Sequence, residues 1–278
     1  MHTILVACEQ HEGVTSVLET SLIVAKQFDS YLEGIAAFSG YGEIVAMAPA
    51  GAAPVLVETV NDMQELADAR ERFVNLMKSR DIPQGGPVLA RSTYDWLINE
   101  PINGAAFANY ARIFDCTVMG RPVAGKPRPR IGMLEALLFD SGGPVLIAPP
   151  TPPTTIGETI VIAWNGSAET TRTIAFAMPF LAKAKRVVVL TVDDGTLQGP
   201  SGQRLASHLS KRGLPVEALT VPQGHESAGS MILQKTAELG GDLLIKGAYT
   251  KSRLRQMIFG GATNHILWSA EVPVLMAH

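Results

Sequence analysis

The sequence predicts an α/β fold built from two similar doubly wound domains, each a five-stranded parallel sheet with helices on both faces. Short apolar runs alternate with helical stretches throughout the chain, which is typical of parallel strands joined by right-handed crossovers. The two halves also begin alike, with Ile4–Glu9 in the first and Ile160–Asn165 in the second. They end alike too, with Pro144–Ala148 in the first and Pro273–Ala277 in the second.

The chain is therefore divided into a first domain over 1–150 and a second over 156–278. A proline-rich stretch between them predicts a stiff, extended linker. The first copy is longer than the second, and residues 40–57 account for most of the difference. That segment is apolar and contains glycine and proline, so it is predicted to be an inserted flap outside the core.

In the first half, continuous apolar runs predict strands covered on both faces, and apolar residues at helical spacing predict amphipathic helices. The clearest helix is the one over 60–80, where Leu66, Phe73 and Met77 fall on one face. The predicted strands are 3–8, 30–38, 88–91, 116–120 and 144–148. The predicted helices are 13–28, 60–80, 102–114 and 133–139.

The second half repeats the same order on the same grounds. The predicted strands are 159–164, 186–192, 217–221, 242–247 and 273–277. The predicted helices are 168–181, 202–212, 229–239 and 263–269. In such sheets ligands bind outside the carboxyl ends of the strands, where the strand order reverses.

Composition narrows the function classes. A net charge of -3 argues against a general nucleic-acid binder, which usually has a basic surface. No apolar run is long enough to predict a membrane span. The two cysteines, Cys8 and Cys116, are predicted to be buried thiols in a reducing compartment. We therefore expect a cytoplasmic protein.

The first two strands of the second half end in candidate binding residues. Asn165, Gly166 and Ser167 follow the first strand, and Val192 and Asp193 end the second. Ser167 fits a helix N-cap, and Asn165 fits either a tight turn or a hydrogen bond to a base edge. The spacing alone does not separate these two roles.

A glycine-containing loop follows the fourth strand of the second half. It begins at Gly247 and ends at Gly260 and Gly261, before a helix that starts with Thr263 and Asn264. Backbone N–H groups at a helix start, together with the helix dipole, favour phosphate, and glycine lets phosphate approach closely. The loop also holds three cations, which form either part of such a site or a solvated basic loop. They are Lys251, Arg253 and Arg255.

On these residues the chain resembles the universal stress proteins in their tandem form, over nearly its whole length. ATP-binding members of this family have a sequence pattern similar to Gly-x2-Gly-x9-Gly-[Ser/Thr] after the fourth strand. Gly247 and Gly260 match the first and third glycines, while Thr250 and Gly261 replace the second glycine and the hydroxyl residue. Thr263 matches a hydroxyl two residues further on that often reaches phosphate. We expect altered or weaker nucleotide binding from the two replacements.

The resemblance also assigns positions around the base. Asn165 stands where the family has an acid that contacts adenine, and Val192–Asp193 lies near the residue beside the base and ribose. In the first copy only Gly120 matches the loop pattern, since Val123 and Met133 occupy the other glycine positions. The first domain is accordingly expected to have a degenerate site.

The resemblance implies a stress-response module that binds ATP or AMP in the second domain. Asp193 and Asp194 lie near the expected crevice, where they either hold Mg²⁺ together with the nucleotide or end a strand in solvent. We expect no dedicated enzyme and at most slow ATP hydrolysis. A homodimer is expected, and the last strands of the two halves are expected to pack near each other. The alternative is a non-nucleotide interaction protein that binds an apolar metabolite or a protein partner. An enzyme of the adenine-nucleotide α-hydrolase type rests on fold analogy only.

Overall fold

A computed structural model of the 278-residue chain describes most of both halves. The described residues are 1–9, 11–36, 57–86, 91–100, 102–123, 129, 131–193, 195, 199–248 and 261–278, and the side chains of 57–62 are not described. The predicted flap at 40–57 falls almost wholly outside this part. No helix in the described ranges is long and apolar enough to cross a membrane.

The first half alternates strands with helices. Its strands are β1 Thr3–Ala7, β2 Tyr31–Ile35, β3 Thr93–Asp95, β4 Cys116–Gly120 and β5 Val145–Ala148. Its helices are α1 Val14–Phe28, α2 Val57–Ser79, α3 Gly104–Ala111 and α4 Ile131–Asp140.

The second half repeats this pattern. Its strands are β6 Thr159–Ala163, β7 Arg186–Asp193, β8 Val216–Pro222, β9 Leu243–Gly247 and β10 Val274–Ala277. Its helices are α5 Ala168–Phe176, α6 Met178–Leu181, α7 Gly202–Ser210, α8 Ala228–Glu238 and α9 Gly261–Ser269.

All ten strands join in one continuous sheet with the order β3-β2-β1-β4-β5-β10-β9-β6-β7-β8. Each half contributes five parallel strands, and β5 pairs antiparallel with β10 at the centre. Leu146 faces Leu275 across this seam, and both are fully buried. The last strands of the halves therefore pair directly. Because the halves meet antiparallel, the carboxyl ends of their strands lie on opposite edges of the joined sheet.

Helices cover both faces of the sheet, as expected for a doubly wound fold. One core packs α1, α2, α5, α6 and α7 against one face. A second core packs α3, α4, α8 and α9 against the other. In the second half, α5 follows β6 on one face and α9 follows β9 on the opposite face, although β6 and β9 are neighbours. This is where the strand order reverses, so a crevice opens between the two strand ends.

Two predicted elements differ from the structure. The third strand of the first half lies at Thr93–Asp95, beyond the predicted 88–91, and residues 87–90 lie outside the described part. The predicted helix over 168–181 is two helices, α5 and α6, because Pro179 has no N–H to continue the hydrogen-bond ladder and instead sits in the first turn of α6. The thiols of Cys8 and Cys116 are buried and form no disulfide bond with each other, as predicted.

In each half, an aspartate just before the fourth strand accepts hydrogen bonds from residues at or just before the start of the first strand. Asp242 accepts hydrogen bonds from the backbone N–H groups of Gly157, Glu158 and Thr159 at 2.9–3.1 Å, and from the Thr155 hydroxyl at 2.7 Å. Asp115 accepts from the N–H groups of His2 and Thr3 in the same way. The two halves thus share a polar anchor as well as a strand order.

Replacing Asp242 by alanine should lower the free energy of unfolding by about 1.5 kcal/mol, because it leaves three N–H groups dependent on water. Urea denaturation monitored by circular dichroism measures the change. Glu217→Ala, which removes a surface ion pair with Arg186, is the control and should cost less than about 0.5 kcal/mol. Equal losses in the two variants would contradict the anchoring role of Asp242.

Candidate functional site

The crevice is formed by the ends of β6 and β9 and the starts of α5 and α9. Both helices begin at this edge of the sheet, so their dipoles place partial positive charge at the crevice. Seven of the predicted site residues lie on these four elements or next to them. They are Asn165, Gly166, Ser167, Gly247, Gly261, Thr263 and Asn264.

The turn after β6 is held by side-chain hydrogen bonds. Asn165 Oδ1 accepts from the Ser167 N–H at 3.2 Å and from the Thr170 hydroxyl at 2.7 Å. Gly166 has a φ of 73°, which glycine adopts without strain. Ser167 is the N-cap of α5, and its hydroxyl accepts from the Thr170 N–H at 3.1 Å. Asn165 is thus a turn residue whose carbonyl oxygen is already used, while its exposed amide nitrogen has no partner among the described residues.

Gly247, the last residue of β9, lies against the first turn of α5. A Cβ at this position would lie 2.4 Å from the Thr170 nitrogen and 2.7 Å from the carbonyl carbon of Glu169. No side chain fits there unless the strand and helix move apart. Gly247 therefore has a packing reason to be glycine in addition to the predicted one of phosphate approach.

The end of β7 lies beside the end of β6, on the side away from β9. Asp193 is exposed, and its carboxylate accepts from the Gly195 N–H at 2.9 Å, which makes a local turn. Val192 is half-buried against the core on the α8 and α9 face. The chain then returns toward β6, where the Trp164 indole N–H donates to the Pro200 carbonyl at 2.8 Å.

The start of α9 faces open space in the described part of the chain. Gly261 is exposed, and a Cβ built on it would meet nothing within 4 Å. Thr263 is buried, and Asn264 is half-buried with an Oδ1 atom that has no hydrogen-bond partner among the described residues. The first turn of α9 therefore combines an accessible start with polar side chains directed inward.

Lys246 is a buried cation beside this turn that the sequence prediction missed. Its side chain is on the same face as α9, and its Nζ donates to the Thr263 hydroxyl at 2.8 Å and to the Gly247 carbonyl at 2.9 Å. No described carboxylate pairs with it. Burial lowers the pKa of the Lys246 amine to about 8, because removal from water disfavours the charged form. A lysine inside the apolar run Leu243–Gly247 was the signal available in the sequence.

Several predicted residues lie outside the described ranges. They are Asp194, Thr250, Arg253 and Gly260, together with Lys251 and Arg255. Within the described ranges, no group of three His, Cys, Asp or Glu side chains could hold a metal ion. The predicted Mg²⁺ therefore remains a prediction that is tied to a bound nucleotide.

The corresponding edge of the first half is arranged differently. A Cβ on Gly120 would lie 2.6 Å from the His11 ring and 2.8 Å from Pro129. Both side chains thus cover the end of β4, where the second half has the backbone of α5. Met119 occupies the position that corresponds to Lys246, and it is fully buried.

Comparison with known proteins fits this geometry. Residues 158–278 match the model of the universal stress protein family. The second half of the chain is thus a universal stress protein domain, with the crevice at its strand-order reversal. No curated protein matches the chain.

Solved structures resemble the whole chain, both halves included. A universal stress protein from Archaeoglobus fulgidus DSM 4304 superposes with a TM-score of 0.73 at 15% identity, covering 99% of this chain and 95% of that chain. A functionally unknown protein from Pseudomonas aeruginosa PAO1 gives a TM-score of 0.54 at 13% identity, covering 100% and 92%. At these identities the likeness shows the fold, which extends to the half that the family model does not match.

Proposed function

We propose that this chain is a stress-response protein whose universal stress protein domain binds an adenine nucleotide, ATP or AMP, in the crevice between β6 and β9. Nucleotide binding would act as a regulatory signal. The observation that carries the proposal is an unbalanced positive charge at an open helix start. Lys246 is buried there with no carboxylate partner among the described residues, and Gly261 at the start of α9 is exposed.

The sequence next to this site strengthens the argument. The twelve residues from Tyr249 to Gly260 include three cations and no aspartate or glutamate. The segment therefore has no acidic side chain with which to neutralise the crevice. A multiply charged anion such as a nucleotide's phosphates would do so, with hydrogen bonds from the backbone at the start of α9.

The turn at Asn165 suggests how a base would be held. Its Oδ1 is bonded within the turn, so only its amide N–H groups are available. An amide donor would pair with an acceptor on the base edge, such as a ring nitrogen of adenine. The family's acid at this position would instead accept, so we expect recognition of the base to be altered.

The two halves are proposed to be unequal. His11 and Pro129 cover the end of β4 in the first half, whereas the end of β9 borders an open helix start. We propose one nucleotide site per chain, with the first half acting as a scaffold. Dimerisation of the whole chain remains a prediction, which sedimentation velocity would test.

A second candidate function is favoured by a groove on the other face of the same domain. The groove between α5 and α7 has a volume of about 440 Å³ and is lined mainly by apolar side chains, including Trp164, Ile174 and Leu209, with Arg204 and Arg212 at its edge. Such a groove suits an apolar metabolite with an acidic end.

Mass spectrometry of the ligand released on denaturing the purified protein separates the two candidates. The nucleotide proposal predicts an adenine nucleotide at up to one molecule per chain. Release of a fatty acid or a similar apolar acid, with no nucleotide, would contradict it and support the second candidate.

A further inference from the structure

We propose that Lys246 is the residue that sets the crevice's preference for polyphosphate anions, by fixing the Thr263 hydroxyl as a donor toward the ligand and supplying the positive charge behind it. The inference rests on the proposed anion site and specifies its chemistry. It concerns a side chain that contributes nothing to the glycine pattern from which the site was predicted.

The hydrogen bonds determine the direction of the hydroxyl. An ammonium group has three donors and no acceptor, so in the contact between Lys246 Nζ and Thr263 Oγ1 the hydroxyl oxygen must accept. Its own proton is then left for another acceptor, and Thr263 has no second partner in the described part of the chain. Beside an accessible helix start, a bound phosphate oxygen is well placed to be that acceptor.

Burial explains why the amine needs an anion. Lys246 is only 7% exposed and has no ion pair with any described residue, which is costly for a charged amine. Its pKa of about 8 leaves it largely charged at neutral pH and largely neutral near pH 9. A phosphate nearby would favour the charged form, so binding would take up a proton at alkaline pH.

Few other titratable groups among the described residues lie on the elements packed around Lys246. β10 has none over Val274–Ala277, α9 has His265, and His278 directly after β10 has its Nδ1 3.2 Å from the Ala248 carbonyl oxygen. Lys235 and Glu238 at the far end of α8 bond to each other at 2.6 Å. Glu169 lies in the first turn of α5 on the opposite face of the sheet, and the sequence over 249–260 contributes Tyr249 and three cations.

The first half supplies a matched variant. Met119 is fully buried at the corresponding position, so Lys246→Met should fold and remove only the amine. Thr263→Val removes the hydroxyl, and Thr263→Ser keeps it.

The test is calorimetric titration with ATP, tripolyphosphate and adenosine at pH 7.5 and 9.0, each in two buffers of different ionisation enthalpy. For wild-type protein we expect affinity for both polyphosphates to fall by up to about eightfold between these pH values. We also expect uptake of roughly half a proton near pH 8. Lys246→Met and Thr263→Val should each weaken both polyphosphates about tenfold and leave adenosine unchanged. Lys246→Met should also abolish the pH dependence, whereas Thr263→Val retains the amine and should keep it. Thr263→Ser should bind as wild type.

The outcomes separate this inference from the proposed function. If ATP binds wild type and Lys246→Met equally, with the same pH profile, the role of Lys246 is wrong and the nucleotide site stands. If tripolyphosphate binds with the Lys246 dependence but ATP does not, the inference stands and the nucleotide proposal fails. If neither anion binds wild-type protein at millimolar concentration, both are overturned.

Discussion

Replacing Gly247 by alanine should lower the free energy of unfolding by about 3 kcal/mol and abolish nucleotide binding. The new methyl group would lie 2.4 Å from the Thr170 nitrogen and 2.7 Å from the Glu169 carbonyl carbon, both backbone atoms of α5. Backbone cannot rotate away as a side chain does, so β9 and α5 must separate. That separation would also displace the turn at Asn165, which is bonded to Thr170.

Gly261→Ala is the matched control for this prediction. Gly261 is at the start of α9, and a Cβ there meets no described atom within 4 Å, so alanine should change stability by less than about 1 kcal/mol and in the stabilising direction. Urea denaturation of both variants and wild type gives the comparison. Similar free energies of unfolding for the two variants would contradict the close packing of Gly247 against the backbone of α5.

The free energy of unfolding of wild type, measured relative to that of Lys246→Met, should rise by about 2 kcal/mol as pH rises from 7 to 9.5. Burial lowers the pKa of Lys246 from 10.5 to about 8, so over this range the unfolded chain binds more protons than the folded chain. Wild-type stability from this group therefore rises with pH, and methionine removes the effect. Taking the difference between the two proteins cancels the titration of every other group.

Lys211→Met is the control for the pH series. Lys211 is exposed just after α7, so its difference from wild type should stay constant over the same pH range. The measurements are urea denaturation curves at pH 7.0, 8.0, 9.0 and 9.5, without nucleotide. A constant difference for Lys246→Met would mean that water reaches the amine and that it is not buried.

The fold was predictable because its signal is repeated and strong. Apolar runs such as Leu243–Gly247 are typical of strands that helices cover on both faces of a parallel sheet. Because each run occurs once in each half, the sequence also predicted two similar domains. The third strand was misplaced because Thr93–Asp95 has only one large apolar side chain, Tyr94, and gives no apolar run. The sequence did not predict that the two sheets are one, since the β5–β10 pairing depends on how the halves meet.

The grouping of the strand-end residues was predictable from the sequence, but the contacts that they make were not. Strand-end arguments placed Asn165 and Gly247 at one crevice, and the structure brings both to Thr170. Lys246 was missed because it lies inside a predicted buried strand. At such a position an apolar residue is expected, so a functional lysine was not considered there. Only coordinates reveal that its amine reaches Thr263, since the two residues are seventeen apart in the chain.

Calorimetric titration of wild-type protein with ATP and Mg²⁺ at pH 7.5 tests the central claim most directly. The account predicts saturable binding at one site per chain, lost in Gly247→Ala and retained in a first-half variant such as Met119→Leu. Absence of heat at millimolar nucleotide, or two equal sites per chain, would contradict it.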